Sequence, residues 1–179
     1  MNYQDILDFW FSPETQPLWF AKSNDFDGLI NQKFRDIHQQ AAQAELWSWR
    51  KTAEGRLAEI IVLDQFSRNL FRDQAQAFAQ DALALTLAQE AMSLDLDKQL
   101  SPEQRAFLYM PFMHSESKLI HEFGLKLFQR LDNPMNLDYE KMHKAIIDRF
   151  GRYPHRNQIL ARPSTAEELE FLTQPNSSF

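Results

Sequence analysis

No stretch constrains the fold of this chain more than TAEGRLAEIIVLDQFSRNLF, Thr52–Phe71. Placed at ~100° per residue, Leu57, Ile60, Ile61, Val62, Leu63, Phe66, Leu70 and Phe71 spread around nearly the whole circumference of a helix. A helix that is apolar almost all round must be central, so the other elements have to pack around it. They too read as helices. Apolar residues recur at spacings of three and four, no segment alternates strictly over strand length, and the chain contains one valine. The expected class is all-α: a compact array of antiparallel helices with no sheet.

The remaining elements follow from periodicity and caps. Tyr3–Phe11 reads as a short helix stopped by Ser12-Pro13. A helix from Asn24 or Asp25 to about Trp49 carries Phe26, Leu29, Ile30, Phe34 and Ile37 on one face. Ala77–Leu96 is amphipathic. Ser101-Pro102-Glu103-Gln104 is a strong start signal, and its helix meets Pro111, which kinks it or begins another. Phe112–Leu131 follows and ends at Asn133-Pro134. Leu137–Phe150 turns its Tyr139, Met142, Ile146 and Phe150 face inward and breaks at Gly151 and Pro154. Ser164 with Glu167 caps a last helix to about Leu172. At 179 residues the chain fits a single domain over 1–179, with residues 173–179 expected to fray.

Composition excludes several chemistries. There is no cysteine, hence no disulfide, thiolate metal site or cysteine nucleophile. The net charge of −6 argues against a nucleic-acid backbone as partner. The opening residues lack a charged region followed by a long apolar run, and nothing approaches the ~18 apolar residues of a membrane helix. A cytoplasmic location, no membrane partner, no cofactor and no metal are the expectations.

Charges at core positions give the functional lead. Asp64, Arg68 and Arg72 lie four apart on the central helix, where a lone charge is costly, so they must pair or border a wet cavity. Asp64 with Arg68 reads as an internal ion pair, and an Arg68/Arg72 fork as a clamp for an anion. On the helix expected after Pro111, Glu116 falls at the centre of the face formed by Phe112, Met113, Leu119, Ile120, Phe123 and Leu127. It should meet Arg68, Arg72 or a residue of His143–Arg162. His114 and His121, seven apart, make a weak metal pair. His121 reads as a solvent or packing residue, whereas His114, near the Pro111 kink, can turn inward. Past Gly151, Arg152, His155, Arg156 and Asn157 crowd a turn tethered by Tyr153-Pro154 and Ile159-Leu160, a reasonable anion cradle.

DQFSRNLFRD (Asp64–Asp73), YMPFMHSE (Tyr109–Glu116) and FGRYPHRNQILARPSTAEELEFL (Phe150–Leu172), with ILDFWF (Ile6–Phe11) and Trp19-Phe20, make the chain resemble the family of unknown function numbered 924. The resemblance covers essentially the whole chain. It implies an all-α, tetratricopeptide-like superhelical fold and no established reaction. The repeat signature of true tetratricopeptide motifs is absent.

Three functions fit these residues. In the favoured one, Asp64, Arg68, Arg72, His114, Glu116, Arg152, His155, Arg156 and Asn157 line a polar site for a small anionic metabolite, with catalysis left open. In the second, the chain is a helical protein-interaction scaffold that uses aromatic anchors such as Trp19, Trp47 or Trp49. In the third, the charges form one buried network that fixes helix order.

Overall fold

Local signals start most of the helices, and each can be traced to a side chain. In the computed structural model, which describes residues Met1–Phe179, every regular element is helical and there is no strand. Asn2 and Asp5 close a reciprocal capping box on α1 (Tyr3–Trp10). Ser23 caps α2 (Asn24–Ala42), and Thr52 caps α3 (Ala53–Ile61). A π turn, Val62–Phe66, carries α3 into α4 (Ser67–Leu70). α5 is Asp81–Ser93. Ser101 and Gln104 cap each other reciprocally at α6 (Pro102–Met113). Ser117 caps α7 (Lys118–Leu131), and Asn133 caps α8 (Pro134–Phe150). Thr165 with Glu168 boxes α9 (Ala166–Phe171).

The chain divides into two compact units. One comprises Met1–Arg72 with Gln76–Pro111, the other Asp73–Ala75 with Phe112–Phe179.

In the first unit α3 is central. α1, α5 and the turn Trp47–Lys51 pack on it, and α2 packs on the π turn and α4. Leu57, Ile60, Ile61, Val62, Leu63 and Phe66 are fully buried, as the all-round apolar pattern demands. Trp10, Phe34 and Phe66 form an aromatic core, with Trp10 also set edge-on to Phe107.

In the second unit α7 and α8 form an antiparallel hairpin. Gly124 of α7 is why they approach so closely: a Cβ there would stand 3.0 Å from Glu140 Oε1 of α8. Ile146, Ile147 and Tyr153 form the core beside it, backed by Phe150 and Phe171.

Several sequence-based bounds change. α6 runs two residues beyond Pro111 before it ends. The proline removes the donor to the Phe107 carbonyl, a loss that the last turn of a helix tolerates. The next helix then starts at Lys118, because the Ser117 hydroxyl offers a cap. Glu116 is therefore in the α6–α7 connection and not on a helix face. Leu119 and Phe123, expected beside it in the core, are 65% and 52% exposed. Asn133-Pro134 begins α8 rather than only ending α7, with proline at the first helical position. The buried face of α8 is Glu140, His143, Ile146 and Ile147, and Tyr139 is exposed. The last cap falls one residue later than expected, on Thr165. Residues 173–179, expected to fray, turn back through a Ser177 Oγ bond to the Leu172 carbonyl, and Ser177 is buried.

Candidate functional site

The first unit gives each of its flagged charges a carboxylate or guanidinium partner. Arg68 donates to both oxygens of Asp81 (3.0 and 3.2 Å) and to the backbone carbonyl of Asp64 (2.7 Å). Its guanidinium also stands 3.2 Å from the buried Asp64 carboxylate, which accepts from Gln65. Arg72 donates to both oxygens of Asp27 (2.5 and 2.7 Å), which takes a third bond from Asn69. Burial would raise the Asp27 carboxyl, but the Arg72 and Asn69 donors outweigh it and hold it below the ordinary aspartate value. Here the two arginines tie α4 to α2 and α5. A comparable charge escaped the sequence reading: Glu59, fully buried in α3, takes two 2.7 Å bonds from Arg50. Its signal was a carboxylate between Ala58 and Ile60 in an otherwise apolar turn.

The second unit holds the rest, in two adjoining clusters. The first is a balanced chain of ions. Glu116 accepts from both terminal nitrogens of Arg162 (2.6 and 2.8 Å) and from the backbone N–H of Tyr153 (2.7 Å). Arg162 Nε donates to Asn157 Oδ1, and Asn157 Nδ2 donates to Ser164 and Glu168. Glu168 is buried and receives two bonds from Arg152 (2.6 and 2.8 Å). Burial would raise the Glu116 carboxyl, but Arg162 and the Tyr153 N–H pull it below the usual glutamate range, with help from the charge of Arg156. The Arg152 guanidinium, opposed by burial and aided by Thr165 N–H, holds Glu168 down to about 2. Arg162, the partner of Glu116, was recognised only as part of a donor-rich stretch. The left-handed turn at Ala161 (φ 53°) and the Arg162 N–H bond to the Asn157 carbonyl bring it round.

The second cluster gathers four of the five histidines about Tyr153. Ring centroids of His121, His143 and His155 lie 6.4, 5.7 and 5.5 Å from the Tyr153 ring, and His114 lies 6.5 Å from His143. The Arg156 guanidinium covers the Tyr153 ring at 4.6 Å and donates to the His114 carbonyl. Tyr153 is fully buried and donates its hydroxyl to the Met113 carbonyl (2.5 Å).

Hydrogen bonding fixes the histidine tautomers. A carbonyl can only accept, so His121 Nε2 carries a proton for Ser115 O (2.9 Å), and the Tyr153 oxygen shares it at 3.2 Å. His121 Nδ1 then divides one proton with Glu140 Oε1 at 2.8 Å, both side chains being wholly buried. Burial pushes the Glu140 carboxyl up, against the pull of His121, and its Oε2 has no partner. His143 Nδ1 donates to the Tyr139 carbonyl (2.8 Å), which leaves the lone pair on Nε2. Burial drives its pKa down to about 3, and the positive charges of His114, His121 and Arg156 push the same way. Of the two roles expected for His121, solvent or packing, the solvent one is corrected: the residue is buried and bonded at both nitrogens. Glu140 and His143 were missed as a pair. With Ile147 they recur at i, i+3 and i+7, so their inward face was legible once Tyr139 was set outward. No group of three or more histidine and acidic side chains is arranged to hold a metal ion.

Fold and clusters together define an all-α protein with a balanced ion network beside a histidine–arginine–tyrosine cluster. The chain belongs to the family described as bacterial protein of unknown function (DUF924), whose model matches residues 6–176. A solved structure, that of a protein of unknown function from Agrobacterium tumefaciens, shares 40% sequence identity and a TM-score of 0.90. The match covers 95% of this chain and 96% of that one. No curated protein matches the chain. No helix is long and apolar enough to cross a membrane.

Proposed function

We propose that the histidine cluster of the second unit binds a small anionic ligand. The observation that supports this reading is the gathering of His114, His143, His155 and Arg156 about Tyr153, with the Arg156 guanidinium over its ring. A guanidinium and imidazole rings gathered in a poorly solvated setting favour an anion there. His114 and His155 are half-buried, so a ligand has access from solvent. Arg152, Glu116 and Asn157 support the turn from beneath, because Glu116 holds the Tyr153 N–H while Asn157 links the two ion pairs. Asp64, Arg68 and Arg72 belong, in this reading, to the helix-ordering network of the first unit.

The alternative, a tetratricopeptide-like interaction scaffold, has less support. Trp19, one of its anchors, donates to the Trp10 carbonyl and packs on Phe107 at 4.6 Å. Trp47, exposed at 65%, is the residue in its favour.

A thermal-shift series with inorganic phosphate, citrate and other small anions tests the anion site on wild type, His155→Ala and His114→Ala. An anion that stabilises wild type and loses its effect in either variant supports the site. If no anion shifts wild type, or the variants respond as wild type does, the reading fails.

A further inference from the structure

The outer face of His143 is occupied by the chain's own tail. Tyr153 stands edge-on to the imidazole, with 79° between planes. The ring of Phe179 stacks on the imidazole with centroids 3.8 Å apart and 27° between planes. The same ring lies 6.3 Å from His155, close to edge-on. Phe179 nevertheless stays 46% exposed. Two of the hydrogen bonds that shape this segment are local, Gln174 N–H to the Phe171 carbonyl and Ser177 Oγ to the Leu172 carbonyl. A ring on a segment shaped by short-range turns can leave without unfolding α8 or α9.

We propose that Phe179 is a tethered stand-in for part of the ligand. The His143 face is a stacking platform for a planar aromatic group whose anionic substituent reaches His114, His155 or Arg156, and the tail swings away when that ligand binds. This rests on the anion-site reading above and adds to it the ring and the moving tail. The platform is preorganised, because the Tyr139 carbonyl holds Nδ1–H and so fixes the imidazole plane. The imidazole stacks as an uncharged ring, consistent with its depressed basicity. Phe179 in place covers the platform, so apparent affinity is reduced by the fraction of molecules in which the ring has left.

Calorimetric titration of the full chain with phenyl phosphate, cyclohexyl phosphate and inorganic phosphate tests this on wild type, Phe179→Ala and His155→Ala. Phe179→Ala should tighten phenyl phosphate by roughly fivefold or more and leave inorganic phosphate within about twofold. Phenyl phosphate should bind better than its cyclohexyl analogue. Histidine side-chain NMR gives a readout free of any ligand: in Phe179→Ala the His143 titration should move up towards the ordinary range, with His38 unchanged. An unmoved His143, or phenyl phosphate binding that Phe179→Ala leaves unchanged or weakens, overturns the tail inference. If inorganic phosphate still binds wild type and not His155→Ala in that case, the anion site survives alone. If no anion binds any variant, both readings fall.

Discussion

Replacing Glu116 should loosen the turn that carries Tyr153. Its carboxylate receives three bonds, two from Arg162 and one from the Tyr153 N–H. Truncating one partner of a fully buried ion pair costs about 3–5 kcal/mol, while an exposed pair contributes under about 1 kcal/mol. The Glu116 and Arg162 side chains are 26% and 25% exposed, which places this pair towards the buried limit. Glu116→Ala should therefore cost about 3 kcal/mol and Glu116→Gln about 2 kcal/mol, since the amide oxygen keeps one acceptor. For a chain of this length that lowers Tm by roughly 6–12 °C for the alanine variant. A double-mutant cycle with Arg162→Ala, read by urea denaturation, should give a coupling of about 2 kcal/mol. The carboxyl titrates below its ordinary value in the folded state, so its contribution is present above that ordinary value. It is lost as pH falls through the lower, folded value. A coupling under ~0.5 kcal/mol, or equal losses at pH 7 and in acid, would refute the argument.

Other perturbations separate packing from charge. Gly124→Ala should destabilise by about 1 kcal/mol despite better helix propensity, because its Cβ meets Glu140 Oε1 at 3.0 Å and Phe112 Cβ at 3.3 Å. Gly28→Ala, in α2 with open space around its Cβ, should stabilise by about 0.5–1 kcal/mol, and urea midpoints compare the two directly. Glu140→Gln should cost under about 1 kcal/mol, since its amide can still bond His121. Glu140→Ala should cost about 3 kcal/mol by leaving a void and a buried Nδ1 without a partner. His143 is depressed to about 3 when folded, so its contribution is complete above the ordinary 6.5 and lost as pH falls from there towards 3. Melting followed over that range should show up to about 4 kcal/mol of acid destabilisation that His143→Gln removes. Parallel curves for the two proteins would be the contrary result.

Burial of Leu57 to Phe66 was legible because apolar density around a whole helix leaves one place for it. The π turn inside that stretch was not, since VLDQF has the composition of any buried helix. Glu116 drew notice as a charge on an apolar stripe, yet it sits in a turn, where Ser115 and Ser117 interrupt what periodicity alone would continue. The serines were visible, but whether a hydroxyl caps a helix depends on the turn it enters. The pairing of Glu116 with Arg162, and of His121 with Glu140, lies beyond local pattern. Each joins residues of separate elements, and only the close α7–α8 approach at Gly124 or the left-handed turn at Ala161 makes the distance short.

The π turn has a consequence for how this chain tolerates length changes. One additional residue in that turn sets the angular phase of all that follows in α4, and a helix advances ~100° per residue. Deleting one position within Val62–Phe66 would remove the additional residue, and the segment would close as regular α-helix with the phase of α4 kept. Arg68 would still reach Asp81 and Arg72 still reach Asp27, whereas the same loss from regular helix would turn both arginines away by ~100°. The turn thus acts as slack in the helix: it can give up one residue and leave both arginine–aspartate ties in register.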